Sequence, residues 1–146
     1  MKVNWRQIHA ARNSYAALLA ACGQEGFVLN PVDHPADDVT CYSLNSVNES
    51  HYMAEISASE SITIVGGPHA SACPREVAAY ADYVIIGEGE FTLPRLLLQI
   101  ERGGDEKIPG VATARFCKPA DSCVLLDAYP AFSKKKGFVE ITRGCP

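Results

Sequence analysis

SITIVGGPHASACPREVAAYADYVIIGEGE, residues 61–90, holds two short apolar runs, each stopped by glycine. The first, residues 61–65, meets Gly66-Gly67-Pro68, and the second, residues 82–86, meets Gly87. Neither keeps the apolar-polar alternation of a strand with one wet face, so both read as strands covered on both sides. Between them Pro74 suits the first turn of a short helix over residues 74–81, since proline has no amide proton to lose there.

The same alternation of buried strand and helix extends in both directions. Residues 2–6 form a short candidate strand. Tyr15, Leu18, Leu19 and Cys22 then recur at the spacing of an amphipathic helix, with Asn13 or Ser14 as its cap and Gly23 as its left-handed end. Residues 27–30 and 38–42 (DVTCY) are further apolar runs. Ser46 with Glu49 fits a capping box at the start of a second helix. Thr92 can cap a helix through Pro94, Leu96, Leu97 and Ile100 that ends at Gly103-Gly104. Such β/α repeats predict an α/β domain, a flavodoxin-like (Rossmann-like) three-layer sandwich around a five-stranded parallel sheet.

Past Ile108 the pattern changes. Residues 111–116 and 123–126 predict a small hairpin around residues 118–121. Tyr129-Pro130 and Lys134-Lys135-Lys136 read as a linker, and residues 138–142 (FVEIT) as a new strand running into Arg143-Gly144-Cys145-Pro146. This organisation gives a first domain over 1–115. Residues 116–146 form a hairpin, a linker and the opening strand of a further unit.

Composition limits the function. Of 146 residues, 47% are hydrophobic and 21% charged, a soluble globular balance. The net charge of -4 argues against nucleic acid as a partner, which needs a basic surface. No apolar run has the length of a membrane span, and the first residues lack the apolar core of a secretory signal, so a cytoplasmic location without membrane attachment is expected. The cysteines are Cys22, Cys41, Cys73, Cys117, Cys123 and Cys145, without a C-x-x-C pair, and read as reduced thiols in that compartment.

Ligands of open parallel sheets bind over the carboxyl ends of the strands. The loops at those ends are Ser43-Leu44-Asn45, Gly66-Gly67-Pro68-His69 and Gly87-Glu88-Gly89-Glu90. Glycine lets a ligand approach the main chain closely. An ordinary strand-to-helix turn also uses glycine, but a turn needs one, and here three loops carry small residues. Glu88 and Glu90 can accept hydrogen bonds from a ligand, while Glu90 also suits the positive end of the next helix. His69 follows the glycine turn. His34 and His51 have no context, and no histidine belongs to a cluster with zinc spacing.

The stretch from Ile62 to Leu98, with its strand-GGPH turn and its strand-GEGE loop, resembles the cobalamin-binding domain at the front of many radical SAM enzymes. The ending GFVEITRGCP, residues 137–146, resembles the start of a radical SAM domain. There, a strand running into arginine-glycine-cysteine delivers the first cysteine of a C-x-x-x-C-x-x-C motif. The resemblance implies a corrinoid-binding module that positions cobalamin for a radical or methyl-transfer reaction carried out with a following radical SAM domain. Cobalamin and that domain would be its partners. Ser43, Leu44 and Asn45, with Gly66, Gly67, Pro68 and His69, would line a cleft for the nucleotide tail. Gly87, Glu88, Gly89 and Glu90 would border it. Cys145 would be the first iron–sulfur ligand. A [4Fe-4S] cluster and S-adenosylmethionine would belong to the longer parent, and no catalytic residue falls within this chain.

Other cobalamin proteins ligate cobalt through the histidine of a D-x-H-x-x-G loop. His9 stands at that offset, without the aspartate and the glycine, so a corrinoid held without a protein ligand to cobalt fits this loop better. A receiver-like signalling module of the same fold would need an aspartate closing the third strand, where Ser43 stands. A flavin carrier would need a glycine- or serine-rich phosphate loop after the first strand, where residues 7–12 read QIHAAR. A non-catalytic interaction domain without corrinoid is the remaining alternative.

Overall fold

The structure, a computed structural model, describes residues 1–8 and 11–120. Its strands are β1 (Val3–Arg6), β2 (Leu29–Val32), β3 (Val39–Ser43), β4 (Ile62–Gly66), β5 (Tyr83–Ile85) and β6 (Val111–Ala112). They form a six-stranded sheet in the order β2-β1-β3-β4-β5-β6. The first five are parallel, and β6 is antiparallel to β5 at the edge. The α/β, flavodoxin-like architecture expected from the sequence is therefore present, with an added edge strand.

The helices are α1 (Arg12–Gln24), α2 (Glu49–Ser57), α3 (Pro68–Ala72), α4 (Pro74–Val77) and α5 (Gly89–Arg102). α1 and α5 pack together on one face of the sheet. On that face the Trp5 and Tyr15 rings lie 5.6 Å apart, and the Tyr15 hydroxyl donates to the Leu29 carbonyl. Val3, Trp5, Val39, Cys41 and Ile64 on this face, and Asn4, Thr40, Tyr42 and Val65 on the other, are all buried, as strands covered on both faces require.

The opposite face carries a polar seam within the packing. The Arg6 guanidinium makes two bonds to the Glu55 carboxylate, at 2.9 and 3.1 Å. The Tyr42 hydroxyl donates to the same carboxylate at 3.1 Å, and the Tyr52 ring lies 5.2 Å from the centre of the guanidinium. These contacts tie α2 to β1 and β3. At the other end of the sheet, Asp82 accepts both the amide and the hydroxyl of Thr63 at 2.8 Å, fixing β5 against β4.

Several boundaries differ from the sequence reading. α1 starts at Arg12 with Ala11 at its N-cap position, ahead of the expected Asn13 or Ser14, and the left-handed glycine beyond it is Gly26 and not Gly23. The chain makes one more turn there before Phe27 enters the core. The Ser46–Glu49 capping box does not form. Asn45 and Asn48 instead bond each other's backbone, because short amide side chains close such turns on themselves. The helix expected over residues 74–81 ends at Val77, beyond which the Ala79 and Tyr80 amides donate to carbonyls three residues back, and Pro68 starts an additional short helix, α3. α5 begins at Gly89, so Thr92 lies inside it. The chain turns at Thr113–Phe116, where the Thr113 amide donates to the Phe116 carbonyl and Ala112 bridges Cys117, within the expected first arm of the hairpin. Its expected second arm, residues 123–126, lies outside the described residues. So do the linker and the strand expected over residues 138–142.

Among the described residues, no helix is long and apolar enough to cross a membrane. Cys22 and Cys41 are buried free thiols, whereas Cys117 is exposed. Burial pushes the Cys22 thiol up to about 12 and raises Cys41 as well, so both stay protonated near neutrality. Iodoacetamide at neutral pH is expected to label Cys117 well before Cys22 or Cys41, which peptide mass mapping would show.

Burial pushes the Glu55 carboxyl up, but the bonds from Arg6 and Tyr42 outweigh it and leave the group below its ordinary 4.5. A carboxyl held low stabilises the fold above its unfolded value and loses that contribution as pH falls through the folded value. Glu55→Gln is therefore expected to cost about 1–3 kcal/mol at neutral pH. In urea titrations the gap to the wild type should narrow as the pH drops below about 4.

Candidate functional site at the carboxyl rim

The carboxyl ends of β3, β4 and β5 are neighbours in the sheet, so their three loops share one rim. Ser43 pairs with Gly66 in register, and Val65 with Val84, which sets Ile85 beside Gly66. Ser43, Gly66 and Ile85 thus form the last row across the sheet. They lie two residues beyond the row of Cys41, Ile64 and Tyr83, so they share its face.

Main-chain bonds join the first two loops. The Leu44 amide donates to the Gly66 carbonyl at 2.8 Å, and the His69 amide donates to the Leu44 carbonyl at 3.2 Å. The two backbones lie so close that a Cβ on Gly67 would sit 2.5 Å from the Leu44 oxygen. Gly67 also has φ +100° and ψ near 180°, a region almost closed to residues with a side chain. Its identity is fully explained by the protein's own packing.

Gly66 is different. A Cβ there would make only ordinary contacts, 3.7 Å from Ile85 Cβ and 4.0 Å from the Tyr42 carbonyl. The fold does not demand a glycine at this position. Its bare backbone leaves space on the α1–α5 face of the sheet. Gly89, at the start of α5, reaches the same place from the third loop: a Cβ on it would lie 3.8 Å from Ile85 Cγ2 and 2.9 Å from Leu18 Cδ2. Two glycines from different loops therefore flank the Ile85 side chain, with Leu18 of α1 beside them. Such a narrow, apolar and largely main-chain setting suits the edge of a flat heterocycle.

The remaining expected residues occupy several settings. Leu44 is fully buried, so it serves the rim through its backbone. Asn45 turns its side-chain oxygen to the Val47 and Asn48 amides. Pro68 opens α3. The His69 ring lies on the α2 side, Nε2 being 3.9 Å from Glu49, which also accepts the Tyr80 hydroxyl at 3.0 Å. Glu88 stands at the N-cap position of α5 without a side-chain cap bond, and Glu90 is buried in its first turn, where the helix end favours negative charge. His9 and Cys145 lie outside the described residues. Among those described, no group of three or more His, Cys, Asp or Glu is placed to hold a metal ion. β3 ends at Ser43, without a carboxylate of the receiver type.

Sequence reasoning missed Leu18, Ile85 and Ser71. The first two read only as core residues of a helix stripe and a strand. The third lies in a short helix that the sequence did not announce, and no local signal marks it.

No family model matches the chain. Over 101 residues it is 38% identical to an uncharacterized methyltransferase of Synechocystis sp.. The match takes in 64% of this chain and 18% of that relative, so the chain spans a small part of the protein it resembles.

The two rim glycines should respond differently to alanine. Gly67→Ala is expected to cost about 2–3 kcal/mol, because it adds backbone strain to a steric clash. Gly66→Ala should stay within about 1 kcal/mol of the wild type, since its Cβ has room. Denaturant titration of the two variants checks both.

Proposed function

We propose that this chain is the corrinoid-binding module of a longer methyl-transfer protein of the cobalamin-dependent radical SAM type. The observation that carries the reading is Gly66, a glycine on the ligand-binding rim whose missing side chain the fold does not require. The partial match to a methyltransferase supports the class of reaction.

On this reading the nucleotide tail of cobalamin enters along the row Ser43, Gly66 and Ile85. Gly66 supplies clearance, Ile85 and Leu18 supply apolar contact, and the Ser43 hydroxyl bonds a polar atom of the tail. The Gly66–His69 and Gly87–Glu90 loops border the corrin above the rim. Asn45 and the Asn48 amide turn hold the first loop in shape. When bound, the corrinoid supplies the cobalt centre that carries a methyl group or joins a radical reaction. The protein's share is to bind and orient it. Cys145 would provide the first thiolate of a [4Fe-4S] cluster that uses S-adenosylmethionine, with the other cysteines coming from a following radical SAM domain.

Hydroxocobalamin followed by gel filtration tests the proposal. A coloured protein peak is expected with hydroxocobalamin and a colourless one with flavin mononucleotide. Gly66→Leu, which fills the slot, should lower corrinoid uptake at least about tenfold, the scale of one buried side chain's worth of steric exclusion. A colourless peak from the folded wild-type chain with hydroxocobalamin would overturn the reading.

A further inference from the structure

The loops after β4 and β5 are joined by one side chain. The Ser71 hydroxyl donates to the Gly67 carbonyl at 3.0 Å and accepts the Gly87 amide at 2.9 Å. Its proton and a lone pair are thus both committed, one to each loop. Both bonded residues are glycines with positive φ, +100° at Gly67 and +77° at Gly87, where the backbone is least held by local preference. The Ser71 amide also donates to Gly67, so the serine is itself anchored. The first two loops are locked by main-chain bonds through Leu44. The third loop is tied to the second through this hydroxyl.

From this we infer that Ser71 is a positioning residue that sets the separation of the Gly67 and Gly87 loops, and with it selectivity for a corrinoid bearing a nucleotide tail. The inference rests on the corrinoid reading above. A tail inserted edgewise needs a slot of fixed width, whereas a corrin lying over the rim does not. Losing the hydroxyl should therefore weaken binding of the tailed ligand and spare the tailless one.

The test compares the wild-type chain, Ser71→Ala and Ser71→Thr with cobalamin and with cobinamide, which lacks the tail. Equilibrium dialysis read by corrinoid absorbance gives the affinities. Ser71→Ala is expected to bind cobalamin about tenfold more weakly and cobinamide unchanged. Ser71→Thr keeps a hydroxyl able to reach the same carbonyl and should restore cobalamin binding. Hydrogen exchange supplies a readout without ligand: the Gly87 amide should exchange about tenfold faster in Ser71→Ala than in the wild type or Ser71→Thr. If Ser71→Ala does not fold, Ser71→Cys, with a weak donor in the same place, takes its role.

Equal losses for both corrinoids would mark a general structural role and overturn the inference. So would unchanged cobalamin binding, or a Gly87 amide that exchanges at the wild-type rate. A wild-type chain that takes up neither corrinoid is a separate result. It would sink the corrinoid reading itself, and the tail selectivity with it.

Discussion

Beyond the tips of β3 and β4 the Gly67 backbone lies so close to Leu44 that a side chain on it would collide. The Leu44 amide reaches the Gly66 carbonyl, the His69 amide reaches the Leu44 carbonyl, and Gly67 takes a conformation that only glycine holds cheaply. This contact fixes the direction in which the chain leaves β4. It starts α3 where Ser71 can reach the next loop, and it places His69 beside Glu49 at the start of α2. The rim is built outward from a main-chain lock.

Below the rim, the sheet gives that lock a rigid base. On the α1–α5 face apolar packing dominates, with Trp5, Val39, Cys41 and Ile64 out of water. The face under α2 is more polar. Arg6, Glu55 and Tyr42 share one hydrogen-bonded group there, and such a group is stable only while every member is satisfied. The two faces thus differ in kind. The slot proposed for the nucleotide tail opens on the apolar one.

The glycines divide along the same physical line. Gly67 is explained by the protein alone, because a side chain there would collide with Leu44. Gly66 is not, since an added carbon would fit. A pair read from sequence as one motif therefore serves two purposes, one in folding and one in clearance. Ser71 adds a third element, a hydroxyl joining loops whose glycines cannot hold themselves in place.

Much of this was legible from residue order. Short, apolar, unalternating strands spaced by helices dictate a parallel sheet, and a parallel sheet puts the loops after residues 43, 66 and 87 on one rim. Those inferences need only local pattern and the handedness of β/α connections. Helix boundaries were less legible. Asn45 and Asn48 bond each other instead of yielding to the Ser46–Glu49 box, and α5 starts at Gly89 ahead of Thr92, because competing local bonds differ by little energy. The pairing of the sixth strand with β5, the partnership of Gly66 and Gly89 across Ile85, and the reach of Ser71 to Gly87 were decided by tertiary structure alone. Each joins residues distant along the chain, and whether such groups meet depends on distances that no single stretch of sequence encodes.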